Sequence, residues 1–578
     1  MANRQQLRDS DITKKFCIAG LAVSWIVGVG SLLIGVGLLV AESTGSWRPP
    51  RLDLTHTWRE VIPLLLNVVV TLLNESMGYI HTCTLRWSLQ REGRLEFNSN
   101  LRLLTASRFS RPNGWFANLT HIFGIVFSYG STSLIFLSLN PDLARLLAKD
   151  HDQSDTTGMH INNVALVTLG VGIILQASIA TWALLRTNIP TWSSNPLDVV
   201  RACAVDVDSG HRVDLREGRC MMGVDMTKND AVARRPTPRQ KSILGAKLRV
   251  HYILALLFAV PLLSGVWGGV ILAFINQGRR GGVLGRSWSL LPVFTGITDT
   301  DCVVGQCTDG TSVLNVGWSA SNGTAGTAGG VFVIAGFQSV ISLSLHCAEL
   351  IVNLSRDEEI YRELIGPRGT NPRYSSIYAA LTSWQTLFLF ALKAAVHWVF
   401  GLAINLQYSL GVNMYPPQVL YLACFTLVAL LLGLHLSLRR PRGHLPVSYG
   451  HLQTIADIID EWADSNCMFW GEKDPGDDTA PGFTGTSTNR LPEPAETRFY
   501  GGVSRPQTLG SSRGPSMAFA STQHRPIASL GPTQAQPSPL WDYHGQGRYP
   551  SQNSLNSAYS GQSRYSGSSS SPFLPRGY

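Results

Sequence analysis

The chain has 578 residues, 44% hydrophobic and only 15% charged, with a formal net charge of +9. Soluble proteins carry about 25% charged residues, so the composition excludes an ordinary soluble domain and points to a protein solvated by lipid. The positive charge does not indicate nucleic acid, because the basic residues are spread between long apolar runs.

Eight apolar stretches follow one another, at 17–41, 61–83, 116–139, 162–185, 252–275, 329–352, 378–404 and 416–438. Each approaches or exceeds the roughly 20 residues that span a bilayer core. The first exceeds the apolar core of a signal peptide, about 7–15 residues, and no small-residue cleavage site follows it, so it reads as a retained anchor. It carries Gly20, Ser24 and Gly28 at intervals of four, then Ser31 and Gly35. Small residues so spaced let helix backbones approach closely, and packing within the bundle is the expected use.

The second stretch contains Asn67, Asn74 and Glu75, and the seventh contains Lys393 and His397. Ionisable groups inside a span cost about 2.5–3.5 kcal/mol on insertion scales, which makes them the default functional candidates. Asn67 and Asn74 lie seven apart and Lys393 and His397 four apart, so each pair shares a helix face. Two readings stay open: a polar pathway through these five residues, or interhelical hydrogen bonds with a snorkelling lysine. Glu75 falls in the inner half of its span and Lys393 in the outer half, which argues against a direct ion pair. His121, His346 and Glu349 are expected nearer the cytosolic boundary.

Lys and Arg divide 29 to 8 between the two sets of alternating loops, and 17 to 8 without the long 186–251 loop. The positive-inside rule then places both termini in the cytosol and residues 276–328 outside. Cys302 and Cys307 would there meet oxidising conditions and form a disulfide; two free thiols are the alternative. That loop has no histidine, which leaves a zinc site short of ligands. Asn322 heads a glycosylation sequon, and plasma membrane or secretory-pathway membranes fit such a loop.

In the 186–251 loop, "NIPTWSSNPLDVVRA" predicts an interfacial turn and a short helix near 196–204. The basic cluster "RRPTPRQKS" at 234–242 could hold anionic inner-leaflet lipid and be released by phosphorylation at Thr237 or Ser242. Positive-inside anchoring explains the same charge. Beyond the last span, Leu452, Ile455, Ala456, Ile459 and Trp462 recur on one face of an acidic amphipathic helix within 449–470. This helix is expected to dock on the protein's own basic cytosolic loops. The Ser, Gly, Pro and Gln content of 475–578 predicts a disordered tail.

The resulting organisation is a cytosolic segment (1–16), a transmembrane domain (17–438), a juxtamembrane segment (439–474) and the tail. Its class is all-α, a polytopic bundle of about eight transmembrane helices. No "GxxxxGK", "HExxH" or "GxSxG" motif occurs, and nothing implies a cofactor or a metal.

The phrases "LRWSLQREGRLEFNSNLRLLT" with "PNGW", "IPTWSSNPLD", "LHCAELIVNLSRDE", "HWVFGLA" and "YGHLQTIADIIDEW" resemble a group of fungal multi-pass membrane proteins of uncharacterised activity. The resemblance covers most of 60–475 and implies no substrate, cofactor or catalytic residue. The phrases fall mainly at cytosolic helix ends and loops, which predicts a cytosolic surface built from 85–115, 186–205, 345–370 and 449–474. Three functions follow: an organiser or receptor-like protein binding cytosolic partners through 449–474 and the tail, a solute or ion transporter with a pathway between the second and seventh helices, or an intramembrane enzyme with a dispersed site.

Overall fold

Long apolar stretches in lipid must satisfy every backbone polar group internally, and helices do so. In a computed structural model of the chain they are α1 (Ala2–Ser43), α2 (His56–Arg91), α3 (Trp115–Thr132), α4 (Asn163–Arg186), α6 (His251–Gln277), α7 (Gly323–Arg362), α9 (Trp384–Ala403) and α10 (Pro416–Leu438). Shorter helices are α5 (Pro196–Val205), α8 (Ser376–Thr382) and α11 (Leu452–Ile458). The structure describes residues 2–45, 56–101, 103–138, 159–205, 219–226, 232–246, 249–277, 288–291, 314–316, 323–370, 376–407, 411–462 and 467–502. Cys302, Cys307 and Asn322 lie outside the described residues, as does most of the predicted tail.

Seven of the eight long helices have the length and hydropathy of membrane spans. The exception is α3, whose 18 residues include Asn118, His121, Ser128, Ser131 and Thr132 and so lower its hydropathy; it extends about 27 Å at 1.5 Å per residue, slightly less than a hydrocarbon core of about 30 Å. It nonetheless joins the two sets of loops. The segments around β1 (Phe136–Ser138), β2 (Met159–Ile161), β3 (Leu314–Val316), β4 (Ile404–Gln407) and β5 (Gly411–Met414) meet on one side, where β1 pairs with β2, and β5 with both β3 and β4. On the other side Phe97 bridges His451, Arg239 bridges Arg442, and Thr370 bridges Met468. The segments rich in Lys and Arg are therefore gathered on one side, opposite the paired strands.

Several expected boundaries move. The second span, expected to end at 83, continues as helix to Arg91 because 84–91 packs under the loops instead of leaving the bundle. The third, expected to reach 139, stops at Thr132, after which Phe136 enters β1. The seventh, expected at 378–404, is divided at Ser383, whose side chain accepts from the Thr386 amide and caps α9. The sixth is extended to 40 residues, about 60 Å, so its final turns project well beyond a membrane.

Small residues set the closest helix contacts. A β-carbon on Gly35 would lie 2.8 Å from the Val167 amide nitrogen, and one on Gly170 would lie 2.6 Å from that of Leu32. The stripe of small residues on α1 is thus used within the chain, Gly28 and Gly35 against α4 and Gly20 against Ser76 of α2. Gly172 and Gly124 bring α4 and α3 together in the same way. Val23, Ile26 and Leu33 of α1 and Phe258, Leu262 and Val266 of α6 remain exposed, an apolar belt suited to lipid contact.

A second hydrophobic cluster lies outside the membrane core. Trp87, Leu197, Val200, Tyr361, Leu364, Leu452, Ile455, Trp470 and Tyr500 pack there. The acidic helix docks in it as α11, only seven residues long, and packs on α5 of the basic 186–251 loop, as expected, through apolar side chains. Just beyond it, Trp462 has the Arg201 guanidinium 6.0 Å from its ring centroid, and Asp460 and Glu461 pair with Lys473 at 2.7 and 3.2 Å. The expected start of disorder at 475 is also corrected: β6 (Phe469–Asp474) and β7 (Phe483–Ser487) form an antiparallel hairpin. Tyr500 is buried beyond it, paired with Arg234.

Candidate functional site

Lys393 is the tenth residue of the 20-residue α9, which places its backbone near mid-membrane. Its side chain is 2% exposed, and its ammonium lies 2.6 Å from Oε1 of Glu75 on α2 and also contacts Oε1 of Glu349 on α7. The ion pair that the expected depths disfavoured is therefore present. Starting α9 at 384 instead of 378 moves the helix midpoint to Lys393, and the long side chain covers the remaining offset.

The network continues on α7 and α9. His346 Nδ1 lies 2.8 Å from Glu349 Oε1, one helical turn away on the same face. Gln338 Nε2 lies 2.9 Å from His397 Nδ1, within hydrogen-bond distance. The His397 ring stacks on Tyr129 of α3, with centroids 3.8 Å apart, and the His346 ring is 6.2 Å from the same tyrosine. Three helices thus supply charge, and a fourth supplies an aromatic floor.

Of the five candidate pathway residues, Glu75 and Lys393 are brought together, and His397 adjoins them through Tyr129. Asn74 faces another way: its Nδ2 donates to Ser128 Oγ at 3.1 Å, and its Oδ1 accepts from Gln176 Nε2 at 3.0 Å. Asn67 donates to the Pro63 carbonyl of its own helix at 2.9 Å. Gln338, His346 and Glu349 join the site although they were not among those candidates. Their signal was legible as Gln338, Ser342, His346 and Glu349 along one face of an apolar helix.

Oxygen or nitrogen atoms of Glu75, His346 and Glu349 lie within 4.8 Å of one another, a spacing that can hold a metal ion. Lys393 already presents a cation to both carboxylates. Metal and ammonium would compete for the same oxygens.

Beyond the membrane, α7 presents Asp357, Glu358 and Arg362 to the loops. Asp357 Oδ2 accepts from Asn98 Nδ2 at 2.9 Å and Ser99 Oγ at 3.0 Å. Glu358 Oε2 accepts from the Ser448 and Tyr449 amides at 3.0 and 2.8 Å, while Oε1 pairs with Arg362 at 2.8 Å. Tyr449 has φ +44 and Gly450 φ +75, a left-handed turn that is unfavourable for tyrosine and is held by the carboxylate. Burial, with the Glu358 charge adding to it, pushes the Tyr449 phenol above its ordinary range. It remains a donor, to the Lys241 carbonyl at 2.7 Å.

Other strands of the platform are tied similarly. Arg86 donates to the Asn98 and Ser193 carbonyls, and Trp87 Nε1 to the Thr191 carbonyl. Thr237 is exposed, whereas Ser242 is buried at 7% exposure, its Oγ accepting from the Gly245 amide. The two hydroxyls of the basic cluster therefore differ in accessibility.

No protein-family model, curated protein or solved structure matches this chain.

Proposed function

We propose that the chain is a receptor-like membrane organiser in which the charged cluster inside the bundle sets the state of the cytosolic platform. The observation that carries this reading is the single helix α7. Glu349 lies on it only eight residues before Asp357, about 12 Å along the axis. One rigid element therefore ends in the Lys393 network at one level and in the Asn98 and Tyr449 contacts at the other. A shift of α7 made by one set of charges is delivered to the other. The phrases that resemble the fungal group, including "LHCAELIVNLSRDE" and "YGHLQTIADIIDEW", lie along this connection. The platform is read as the cytosolic face that meets partners, with the Lys and Arg bias as the reason.

Hydrogen exchange on the full-length protein in nanodiscs tests the reading. Glu75→Gln is expected to change protection in 85–105 and 445–459 while α6 stays as it was. A change confined to α2 and α9 removes the organiser reading.

One observation favours the alternative of a transporter. The Glu75 side chain keeps 34% of its surface accessible whereas Lys393 keeps 2%, an arrangement that gives a buried charge a reachable neighbour. Proton flux into dye-loaded proteoliposomes, present with the wild type and lost with Lys393→Met, is the outcome that reading requires.

A further inference from the structure

Where α6 begins and α10 ends, two basic segments run side by side. The Gln240 amide donates to the Pro441 carbonyl at 3.1 Å and the Gly443 amide to the Pro238 carbonyl at 2.9 Å. Between these two bonds Arg239 bridges Arg442 in antiparallel register. Bonds that flank a pair in this way make it a non-hydrogen-bonded pair, the type in which facing Cα atoms are only about 4.5 Å apart and side chains are closest. Two arginines therefore leave the same face of the chain at the same point. Alternation along extended backbone adds Arg440, two positions before Arg442. All three are exposed.

Like charges directly opposite one another disfavour such a pairing, and a bound anion removes the repulsion. The neighbouring carboxylates are engaged elsewhere: Arg439 pairs with Glu359, Lys241 with Asp225, and Glu493 and Glu496 lie beside His444. Arg235 lies over the Phe499 ring, 4.6 Å from its centroid. What adjoins the three arginines is apolar. Leu427, Leu431, Leu434 and Leu438 follow one face of α10 at helical spacing and are exposed, and Leu438 is the last residue of that helix. On α6, the second residue Tyr252 is exposed as well. An anion held by the arginines thus sits at the end of a lipid-facing stripe, where an acyl chain joined to it can lie along the leucines. A free anion makes no use of that stripe.

We propose that Arg239, Arg440 and Arg442 bind the headgroup of an anionic phospholipid that ends in a phosphate monoester, with an acyl chain along Leu431, Leu434 and Leu438. Guanidinium forks match phosphate oxygens two at a time. A monoester, with a charge of about −1.5 to −2 at neutral pH, answers three positive charges more fully than a phosphodiester does. The site narrows the basic cluster of 234–242 to one of its cations and adds two from the far side of the last span. Arg235 and Lys241, committed to Phe499 and Asp225, are not part of it. It shares no residue with the Lys393 network and does not rest on the organiser reading.

Native mass spectrometry tests the site, with the full-length protein delipidated in detergent and offered phosphatidic acid, phosphatidylserine and phosphatidylcholine in equal amounts. One phosphatidic acid adduct should persist at collision energies that strip the other two lipids. Arg239→Gln and Arg442→Gln should each weaken its binding about fivefold, whereas Arg235→Gln, which removes the same charge from the same cluster, should change it by less than about twofold. Thermal unfolding of the wild type should move upward with phosphatidic acid and not with inorganic phosphate at the same concentration, a measurement that stays decisive where a variant does not fold. The proposal is overturned if phosphatidic acid is retained no better than phosphatidylcholine, if phosphatidylserine is retained equally, or if Arg235→Gln weakens binding as much as Arg239→Gln. An equal thermal shift with inorganic phosphate overturns it too, by making the three arginines a site for a free anion.

Discussion

Helix α7 carries carboxylates in two settings, and they are stabilised in different ways. Within the membrane Glu349 shares one lysine with Glu75, and its nearest other partner is an imidazole on its own helix. Two turns later Asp357 and Glu358 are surrounded by loop amides, an asparagine and hydroxyls, and each has its own cation, Arg356 for Asp357 and Arg362 for Glu358. Lipid-embedded helices have already used their backbone donors, so only side chains from neighbouring helices can answer a charge there. Irregular loops have free amides to offer. The intramembrane carboxylates therefore depend on one shared cation, whereas those of the platform have a cation each and loop hydrogen bonds besides.

The largest expected effect tests the first half of this contrast. Lys393→Met leaves two carboxylates without their cation and should lower stability by about 3–5 kcal/mol, the range for a broken buried pair. Chemical denaturation in detergent measures it, and a loss below about 1 kcal/mol would mean that charge balance does not govern the site. Glu358→Ala should cost less, about 1.5–3 kcal/mol, because it removes hydrogen bonds to a charged group. Its signature is faster exchange at Ser448 and Tyr449 with α9 unaffected; equal loosening of α9 would merge the two regions into one unit.

Tyr449→Phe is smaller again. It deletes only the bond to the Lys241 carbonyl, which is worth about 1 kcal/mol, and leaves the left-handed turn in place. Exchange in 441–451 should rise slightly, and a collapse of the platform would show that the phenol, not Glu358, holds the turn.

The smallest effect concerns Glu92, just past the end of α2. Burial raises its pKa, but hydrogen bonds from Ser107, the Phe109 and Arg108 amides and Arg94 outweigh burial and hold it below the ordinary glutamate range. Its contribution is therefore complete at neutral pH and disappears as pH falls through that lowered range. Exchange in 104–114 should quicken only in acid below the ordinary glutamate value. Quickening near neutral pH would assign the transition to another group.

The sequence made α4, α6 and α10 legible almost to the residue, because a long apolar run, capped by Asn162 in α4 and opened by Pro416 in α10, leaves little choice of boundary. It misplaced the ends of α2, α3 and α7, where helix continuation depends on what the next turn packs against. Residues 84–91 read as loop by charge, yet Arg86 is buried and bonded to two carbonyls from distant loops. The platform's segments were legible, while the carboxylates that organise them were not. A glutamate beside an arginine looks like any solvated pair until the amides of 448 and 449 are seen around it.

By itself the sequence determined that this protein is a multi-pass helical membrane protein and which loops are basic. Both are local properties, selected by lipid and by the membrane's charge asymmetry over windows of about 20 residues. Only the tertiary structure decided that Lys393 meets Glu75, 318 positions away in the chain, and that one helix links that meeting to a folded platform. Such pairings depend on helix rotation and depth, which close contacts such as Gly20 with Ser76, Gly130 with Ala335 and Gly401 with Ser133 constrain and which hydropathy leaves undefined.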